Sequence, residues 1–89
     1  MRLSDEDLRK RRVIAADGTE VGECAGIVLD TETMAVVAVR VRVHAAVSRA
    51  QGAKKPLIGR AALTVPVEQV SGIADAVILR PTTSQLLAR

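Results

Sequence analysis

Apolar residues alternate with polar or small residues through much of the chain, and this period of two is typical of half-buried β-strands. The clearest stretch is MAVVAVRVRV, residues 34–43. In a strand, the alternate valines from Val37 to Val43 lie on one face, while Arg40 and Arg42 lie on the other. A helix would place Val37 and Val41 together but scatter Val39 and Val43. We therefore predict a strand here with its valine face buried.

Two further strands are predicted on either side of Asp17 and Gly18. RVIAA (residues 12–16) comes before this pair, and TEVGECAGIVLD (residues 19–30) follows it. Asp-Gly between two apolar runs is the strongest short signal for a β-hairpin, because glycine takes positive φ without a steric penalty. We expect Asp30 to end the second strand in a turn that its side chain or a following threonine caps.

Gly22 and Gly26 lie inside the second of these strands, and strict alternation places both on the same face as Cys24. Glycine inside a strand weakens it, and the usual reason for its presence is a bulge or a sharp bend. We therefore expect the strand to bend at these glycines, as strands do in a tightly coiled small barrel.

The later part of the chain predicts shorter strands and turns. KPLIG, residues 55–59, begins one of them. LTVPVEQV, residues 63–70, contains Pro66, which lacks an N–H group and therefore indicates an edge strand or a strand end. A turn around Asp75 then leads to a strand over residues 76–80.

Three segments carry helical signals. Ser4 and Asp7 have the spacing of a capping box at the start of a short helical turn, and a basic run at residues 9–12 follows. Such a run suits the negative end of a helix, and a contact with nucleic acid or lipid is the alternative. Residues 44–56 predict two helical turns or a loop, and residues 81–89 predict a short helix or a tail.

Together these elements predict an all-β protein, a small and strongly bent β-barrel or roll of about six short strands with minor helical turns. Closure into a barrel is favoured because it removes exposed sheet edges. We expect a single domain over residues 1–89, with the barrel over about residues 1–80 and the helix or tail over residues 81–89.

Composition limits how much surface such a domain can bury. The chain has 89 residues, of which 48% are hydrophobic, but it contains no Phe, Tyr or Trp. A chain this short buries only about 60% of its unfolded surface, and aromatic side chains normally supply much of that burial. A second subunit would bury more, so we predict a homodimer. The candidate contacts are apolar residues beyond the needs of a small barrel: Met34, Val36, Leu57 and Leu63.

The single cysteine, Cys24, excludes an internal disulfide and fits a reducing compartment. Residues 1–10 carry acids where a signal peptide carries apolar residues, and no apolar run approaches the length of a membrane span. We therefore expect a cytoplasmic protein that does not insert into a membrane.

The chain is mildly basic, with a formal net charge of +3. An acidic partner is one interpretation of the basic residues, and an ordinary solvated face is the other. Nucleic acid is the less favoured partner, because proteins that bind single strands usually add aromatic stacking platforms. The candidate partner-binding residues are Arg40, Arg42, Lys54, Lys55 and Arg60.

No motif in the chain predicts an active site. Gly18, Gly22 and Gly26 recur every four residues, which matches neither the dinucleotide-binding fingerprint nor the P-loop. The acids among them are too sparse for a calcium loop. Cys24 and His44 are the only cysteine and histidine, and we expect the cysteine to be buried, so we predict neither a nucleophilic dyad nor a zinc site. We expect no catalytic residue, metal or cofactor.

The order and spacing of these motifs resemble the PRC-barrel domain over nearly the whole chain, except for about residues 44–62. The chain departs from the family pattern in the turn after Asp30, which lacks the glycine often found there. The matching features are the N-terminal LS…L, the strand with Val13, Asp17-Gly18, Gly22, the segment Ile27–Asp30, the alternating valine strand, and VPVEQV followed by AVIL.

The resemblance implies a bent β-barrel or roll that serves as a docking surface and has no known catalytic residues. In the family, this module forms the cytoplasmic part of a photosynthetic reaction-centre subunit and the C-terminal half of a ribosome maturation factor. Stand-alone copies occur in bacteria and in archaea, where they are linked to cell division, and this chain resembles them. We predict a non-enzymatic interaction or scaffold module that associates with itself. An RNA- or ribosome-associated assembly factor is the alternative.

Overall fold

The computed structural model describes residues 4–50 and 62–87, and most of its regular structure is β-strand. The prediction of a bent all-β protein with about six strands and minor helical turns is confirmed. The strands are β1 (Arg12–Ile14), β2 (Glu20–Asp30), β3 (Ala35–Val43), β4 (Ala62–Pro66), β5 (Val70–Ile73) and β6 (Ala76–Leu79). The helices are α1 (Asp5–Leu8), α2 (Ala45–Ala50) and α3 (Thr83–Leu87), and a 3-10 turn covers Val67–Gln69.

The six strands form one sheet in the order β4-β3-β2-β1-β6-β5. Its two edge strands, β4 and β5, are consecutive in the chain and are joined by the 3-10 turn Val67–Gln69 alone. In a flat sheet, strands spaced about 4.8 Å apart would hold these edges roughly 24 Å apart. A connection of this length spans at most about 14 Å. The sheet must therefore roll, and the described strands form an open roll rather than a closed barrel.

The predicted turns and strand ends lie where expected. Gly18 has a φ of 84°, and its N–H donates to the carbonyl of Ala15 at 2.9 Å, so the Asp-Gly turn between β1 and β2 is confirmed. Pro66 is the last residue of the edge strand β4. A bend around Asp75 separates β5 from β6, and β6 ends just before Arg80.

Aliphatic side chains from alternate strand positions line one face of the roll, which we call the inner face. Val13, Val21, Val41 and Val77 are completely buried there. Leu86 of α3 packs against this cluster, so the helix adds apolar surface to a small core. The other buried members of the cluster are Leu8, Ala15, Cys24, Val39, Val43, Val65 and Leu79.

A β-bulge in β2 corrects the expected arrangement of its glycines. Cys24 pairs with Val41 on the inner face, whereas Gly26 pairs with Arg40 on the opposite, outer face. Ala25 is the extra residue between these pairs, and it shifts the alternation by one position. The prediction that Gly26 shares a face with Cys24 is therefore wrong, although the expected bulge is present.

A second bulge corrects the expected valine face of β3. Leu29 pairs with Val36 and the preceding Val28 pairs with Ala38, so Val37 has no partner in β2. Val37 was expected on the buried face but remains 40% exposed. From Val39 onward the alternation is the predicted one.

Gly22 is required by a close approach between two backbones. A Cβ built on this residue would lie 1.9 Å from the carbonyl oxygen of Arg42 in the neighbouring strand β3. A backbone atom cannot move aside as a flexible side chain can, so only glycine fits at this position.

The N-terminal helix has the predicted capping box. The Ser4 hydroxyl accepts from the Asp7 N–H at 3.1 Å, and the Asp7 carboxylate accepts from the Ser4 N–H at 3.0 Å. The helix ends before the basic run, which nevertheless contacts it. Arg9 pairs with Asp5 at 3.0 Å, and the Arg11 guanidinium donates to the Asp7 carbonyl at 2.7 Å.

The C-terminal segment at residues 81–89 contains a short helix, α3, rather than a simple tail. Thr82 and Gln85 cap it reciprocally, at 2.8 Å and 3.2 Å between their backbone N–H groups and side-chain oxygens. Helix α2 forms the first part of the helical segment predicted at residues 44–56. The rest of that segment, and the strand expected at residues 55–59, lie outside the described residues.

Candidate protein-interaction surface

The hairpin of β2 and β3 extends beyond the rest of the sheet. On one side, β1 pairs with β2 no further than Glu23, and backbone bonds from Lys10 and Arg11 reach Cys24. On the other side, β4 pairs with β3 only from Ala38 onward. Residues 26–37, which we call the hairpin tip, therefore project past both neighbouring strands.

The hairpin tip carries a group of exposed apolar side chains. Leu29 and Val36 are cross-strand partners, 42% and 41% exposed, on the same side of the hairpin as the core. Met34 in the turn is 70% exposed, and Val37 lies at the bulge. The row of apolar side chains on the inner face therefore continues into the hairpin tip, where the neighbouring strands no longer cover it. Contiguous exposed apolar side chains of this kind mark interaction sites.

The turn at the end of the tip is held by its own hydrogen bonds. The Asp30 carboxylate accepts from the Glu32 N–H at 2.9 Å, and the Asp30 carbonyl accepts from the Met34 N–H at 2.7 Å. Thr33 caps the next strand by accepting from the Ala35 N–H at 3.3 Å. These bonds confirm the predicted aspartate and threonine caps.

Met34 occupies the conformation that a glycine would adopt easily. Its φ of 60° lies in the left-handed region, which costs a residue with a Cβ about 1–2 kcal/mol. Local strain therefore falls on the most exposed of the large hydrophobic side chains that the structure describes. The strained residue is thus one whose apolar side chain projects from the tip into solvent.

The structure brings together only some of the predicted dimer contacts. Met34 and Val36 both lie in the tip, but Leu63 pairs with Val41 and packs against the core. Leu57 lies outside the described residues. Leu29 and Val37 belong to the tip and were missed, because alternation alone gives no sign of where the neighbouring strands stop.

The predicted basic surface is only partly described, and an acid interrupts it. Arg40 and Arg42 lie on the outer face as expected, while Lys54, Lys55 and Arg60 lie outside the described residues. The Arg42 guanidinium forms an ion pair with Glu23 at 3.0 Å. Arg12 is the cross-strand neighbour of that glutamate on its other side. Of the predicted basic residues that are described, Arg40 is the exposed one.

Cys24 and His44 have separate surroundings. The Cys24 thiol is 1% exposed and donates to the Gly26 carbonyl at 3.6 Å, and burial raises the pKa of this thiol. His44 contacts Glu20 at 2.8 Å on the surface. Within residues 4–50 and 62–87, no three acidic, histidine or cysteine side chains converge as a metal site would require.

A groove of about 460 Å³ lies between the edge strand β4 and helix α3. Its lining combines aliphatic residues with neutral polar ones: Leu63, Thr64, Val65, Gln69, Pro81, Gln85 and Leu86. Among the helices that the structure describes, none has the length and apolarity needed to cross a bilayer.

Comparison with known families supports the geometry. Residues 2–86, nearly the whole chain, match the family model of the PRC-barrel domain. This match confirms the resemblance found in the sequence and agrees with the rolled sheet of six strands. A comparison with curated proteins found no significant match.

Proposed function

The chain belongs to the PRC-barrel family, and we propose that it is a non-enzymatic protein-interaction module that binds a second copy of itself through the hairpin tip. The observation that carries the proposal is the group of four exposed apolar side chains on an arm that extends past its neighbouring strands: Leu29, Met34, Val36 and Val37. The proposal includes the cytoplasmic location expected for a chain with one buried, unpaired cysteine.

The size of the apolar contact supports a reversible dimer. Complete burial of a Leu, Val or Met side chain is worth about 1.5–3 kcal/mol. The four tip side chains are 40–70% exposed, so covering all of them completely in both copies would contribute at most roughly 6–12 kcal/mol. Association costs about 4–15 kcal/mol in lost freedom. The tip is therefore large enough to drive weak association, and tight association requires further contacts.

The alternative, an RNA- or ribosome-associated factor, has weaker support. Arg42 is engaged by Glu23, so the outer face offers fewer free cations than the sequence suggests. Binding to phosphates would weaken steeply as salt rises, whereas the burial of apolar side chains depends little on moderate salt. A pull-down with and without nuclease, repeated at two salt concentrations, separates the two functions.

Sedimentation velocity over a wide concentration range tests the proposal. The wild-type protein is expected to shift from monomer to dimer, and the double variant Leu29→Ser, Val36→Ser is expected to stay monomeric. Ile78→Ser is the matched control, since Ile78 is similarly exposed but lies on β6. A wild-type protein that remains monomeric at the highest concentration would contradict the proposal. So would a double variant that associates as well as the control.

A further inference from the structure

The outer edge of β2 is unpaired along the hairpin tip. The backbone bonds from Lys10 and Arg11 stop at Cys24, and no strand among residues 4–50 and 62–87 pairs with that edge from Gly26 to Asp30. An open strand edge is a template for pairing with another strand, and proteins usually protect it with lysine, proline, an inward-pointing charge or a covering helix. Helix α1 contacts β2, but no backbone hydrogen bond from the described residues reaches the outer edge from Gly26 to Asp30. GIVLD, the sequence of this edge, contains none of these protections apart from its final aspartate.

The side chains along this edge are complementary to themselves in the antiparallel direction. Ile27 and Leu29 lie on the inner face, and the register with β3 places Gly26, Val28 and Asp30 on the outer face. If Val28 lies opposite the partner's Val28, then Ile27 lies opposite the partner's Leu29, which joins apolar side chains on one face. On the other face, Gly26 lies opposite the partner's Asp30.

Arg40 supplies the complementary charge for that aspartate. It pairs directly with Gly26 on the outer face, is exposed, and makes no ion pair with any other described residue. Gly26 has no side chain, and although the residue is buried, no heavy atom beyond its chain neighbours lies within 4 Å of the position that a Cβ would take. Two strand spacings, about 10 Å, separate Arg40 from the partner's Asp30. An extended arginine and an aspartate together span this distance above the glycine.

The carboxylate is able to accept this contact without losing its present one. One oxygen of Asp30, Oδ1, accepts from the Glu32 N–H within the turn. The second oxygen makes no hydrogen bond with the described residues and is free to accept from a guanidinium. The local role of Asp30 in the turn and a role between copies are therefore compatible.

This inference rests on the proposed self-association. We propose that two copies pair β2 with β2 in the antiparallel direction, about a twofold axis at Val28. On each side of the axis, Arg40 forms an ion pair with the partner's Asp30. The two six-stranded sheets then form one continuous sheet.

A twofold contact uses the same patch twice, which the self-complementary order of Gly26 to Asp30 satisfies. At this seam Leu29 meets the partner's Ile27, whereas Val36 and Val37 lie one strand away on β3. Backbone hydrogen bonds along the β2 edge therefore supply contacts that burial of the tip side chains does not.

Cross-linking tests the axis. In a Cys24→Ala background, Val28→Cys is expected to form a disulfide-linked dimer rapidly under mild oxidation, because the two introduced thiols lie opposite each other. Thr31→Cys, in the exposed turn, is the control and is expected to cross-link slowly. If the wild-type protein is dimeric but Val28→Cys cross-links no faster than Thr31→Cys, the edge-to-edge arrangement is wrong while the self-association stands.

Charge exchange tests the ion pair. Asp30→Arg and Arg40→Asp each place like charges together in the dimer, and each is expected to raise the dimer dissociation constant by at least about tenfold. The double variant is expected to recover most of that loss, with circular dichroism verifying the fold of all three proteins. A double variant no tighter than either single variant would overturn the pairing. A wild-type protein that is monomeric throughout would overturn the proposed function itself.

Discussion

Thr83 and Asp17 are 66 residues apart in the chain, yet the Thr83 hydroxyl donates a hydrogen bond to the Asp17 carboxylate at 3.0 Å. Thr83 begins α3 and is 2% exposed, whereas Asp17 lies in the exposed turn between β1 and β2. The bond therefore ties the C-terminal helix to the first hairpin. It holds Leu86 of that helix against the core.

Removing this hydroxyl is expected to lower stability modestly. Thr83→Val keeps the shape of the side chain but removes the donor, and the exposed Asp17 carboxylate regains water, so the expected loss in the free energy of unfolding is about 1 kcal/mol. Urea denaturation measures it. Ser84→Ala, at the next and exposed position of α3, is the control and is expected to change little. Equal losses of stability from both variants would argue against a stabilising role for the hydrogen bond between Thr83 and Asp17.

Stability is expected to fall in acid because of two aspartates. Burial raises the pKa of Asp17, but hydrogen bonds from the Thr83 hydroxyl and from the Thr19 and Thr83 backbone outweigh it, so the net pKa is lowered. Backbone and side-chain bonds from Ser4 lower the pKa of Asp7. A lowered pKa in the folded state gives stability that is complete above the unfolded pKa of about 4. This stability is lost as pH falls through the lower folded value.

The free energy of unfolding, measured from neutral pH down through the acid range, checks this expectation. Asp17→Asn is expected to be less stable than wild type at neutral pH and to lose less stability in acid. Ser84→Ala, at an exposed position of α3, removes no titratable group and is the control. An Asp17→Asn profile parallel to wild type would show that Asp17 makes no contribution to the acid sensitivity.

Met34 is expected to lower the stability of the monomer while it strengthens association between two copies. Met34→Gly relieves the left-handed strain at the tip, and after the larger entropy loss of glycine on folding, the expected gain in monomer stability is about 0.5–1 kcal/mol. The same change removes the most exposed apolar side chain of the tip, so the dimer should weaken. Denaturation at low concentration and sedimentation at high concentration measure the two effects. A Met34→Gly variant that is less stable than wild type yet dimerises normally would contradict both the expected gain in stability and the expected loss of association.

Gly22 and Gly72 offer a matched pair for testing the close approach of β2 and β3. Gly22→Ala brings a Cβ against the Arg42 carbonyl, whereas a Cβ on Gly72 meets nothing within 4 Å. We expect Gly22→Ala to lose more than about 2 kcal/mol of stability, as overpacking against backbone does, and Gly72→Ala to change it by less than about 1 kcal/mol. Thermal or urea denaturation of both variants decides this. Similar losses at the two positions would refute the explanation.

Local features of the fold follow from the sequence because they depend on residues close together in the chain. The Asp17-Gly18 turn, the capping box at Ser4, the position of Pro66 at the end of an edge strand, and the strand after Asp75 all belong to this group. Each rests on the conformational limits of one residue or on one short hydrogen-bonded loop.

The features that the sequence does not reveal depend on partners distant in the chain. Ala25 and Val37 are bulge residues only because of how β2 and β3 pair, and each bulge reverses the face expected from simple alternation. The need for Gly22 arises from the Arg42 carbonyl. The parallel pairing of β1 with β6 joins the half of the sheet formed by β4, β3, β2 and β1 to the half formed by β6 and β5. The candidate site is missed in part for the same reason, since Leu29 is exposed where β1 stops.

Hydrogen exchange as a function of protein concentration tests most directly whether two copies meet at the hairpin tip. We predict that backbone amides within residues 26–37 exchange more slowly as concentration rises, while amides of the edge strand β5 are unchanged. Exchange at the tip that stays constant over a concentration range in which sedimentation shows monomer converting to dimer would place the interface elsewhere and contradict the account.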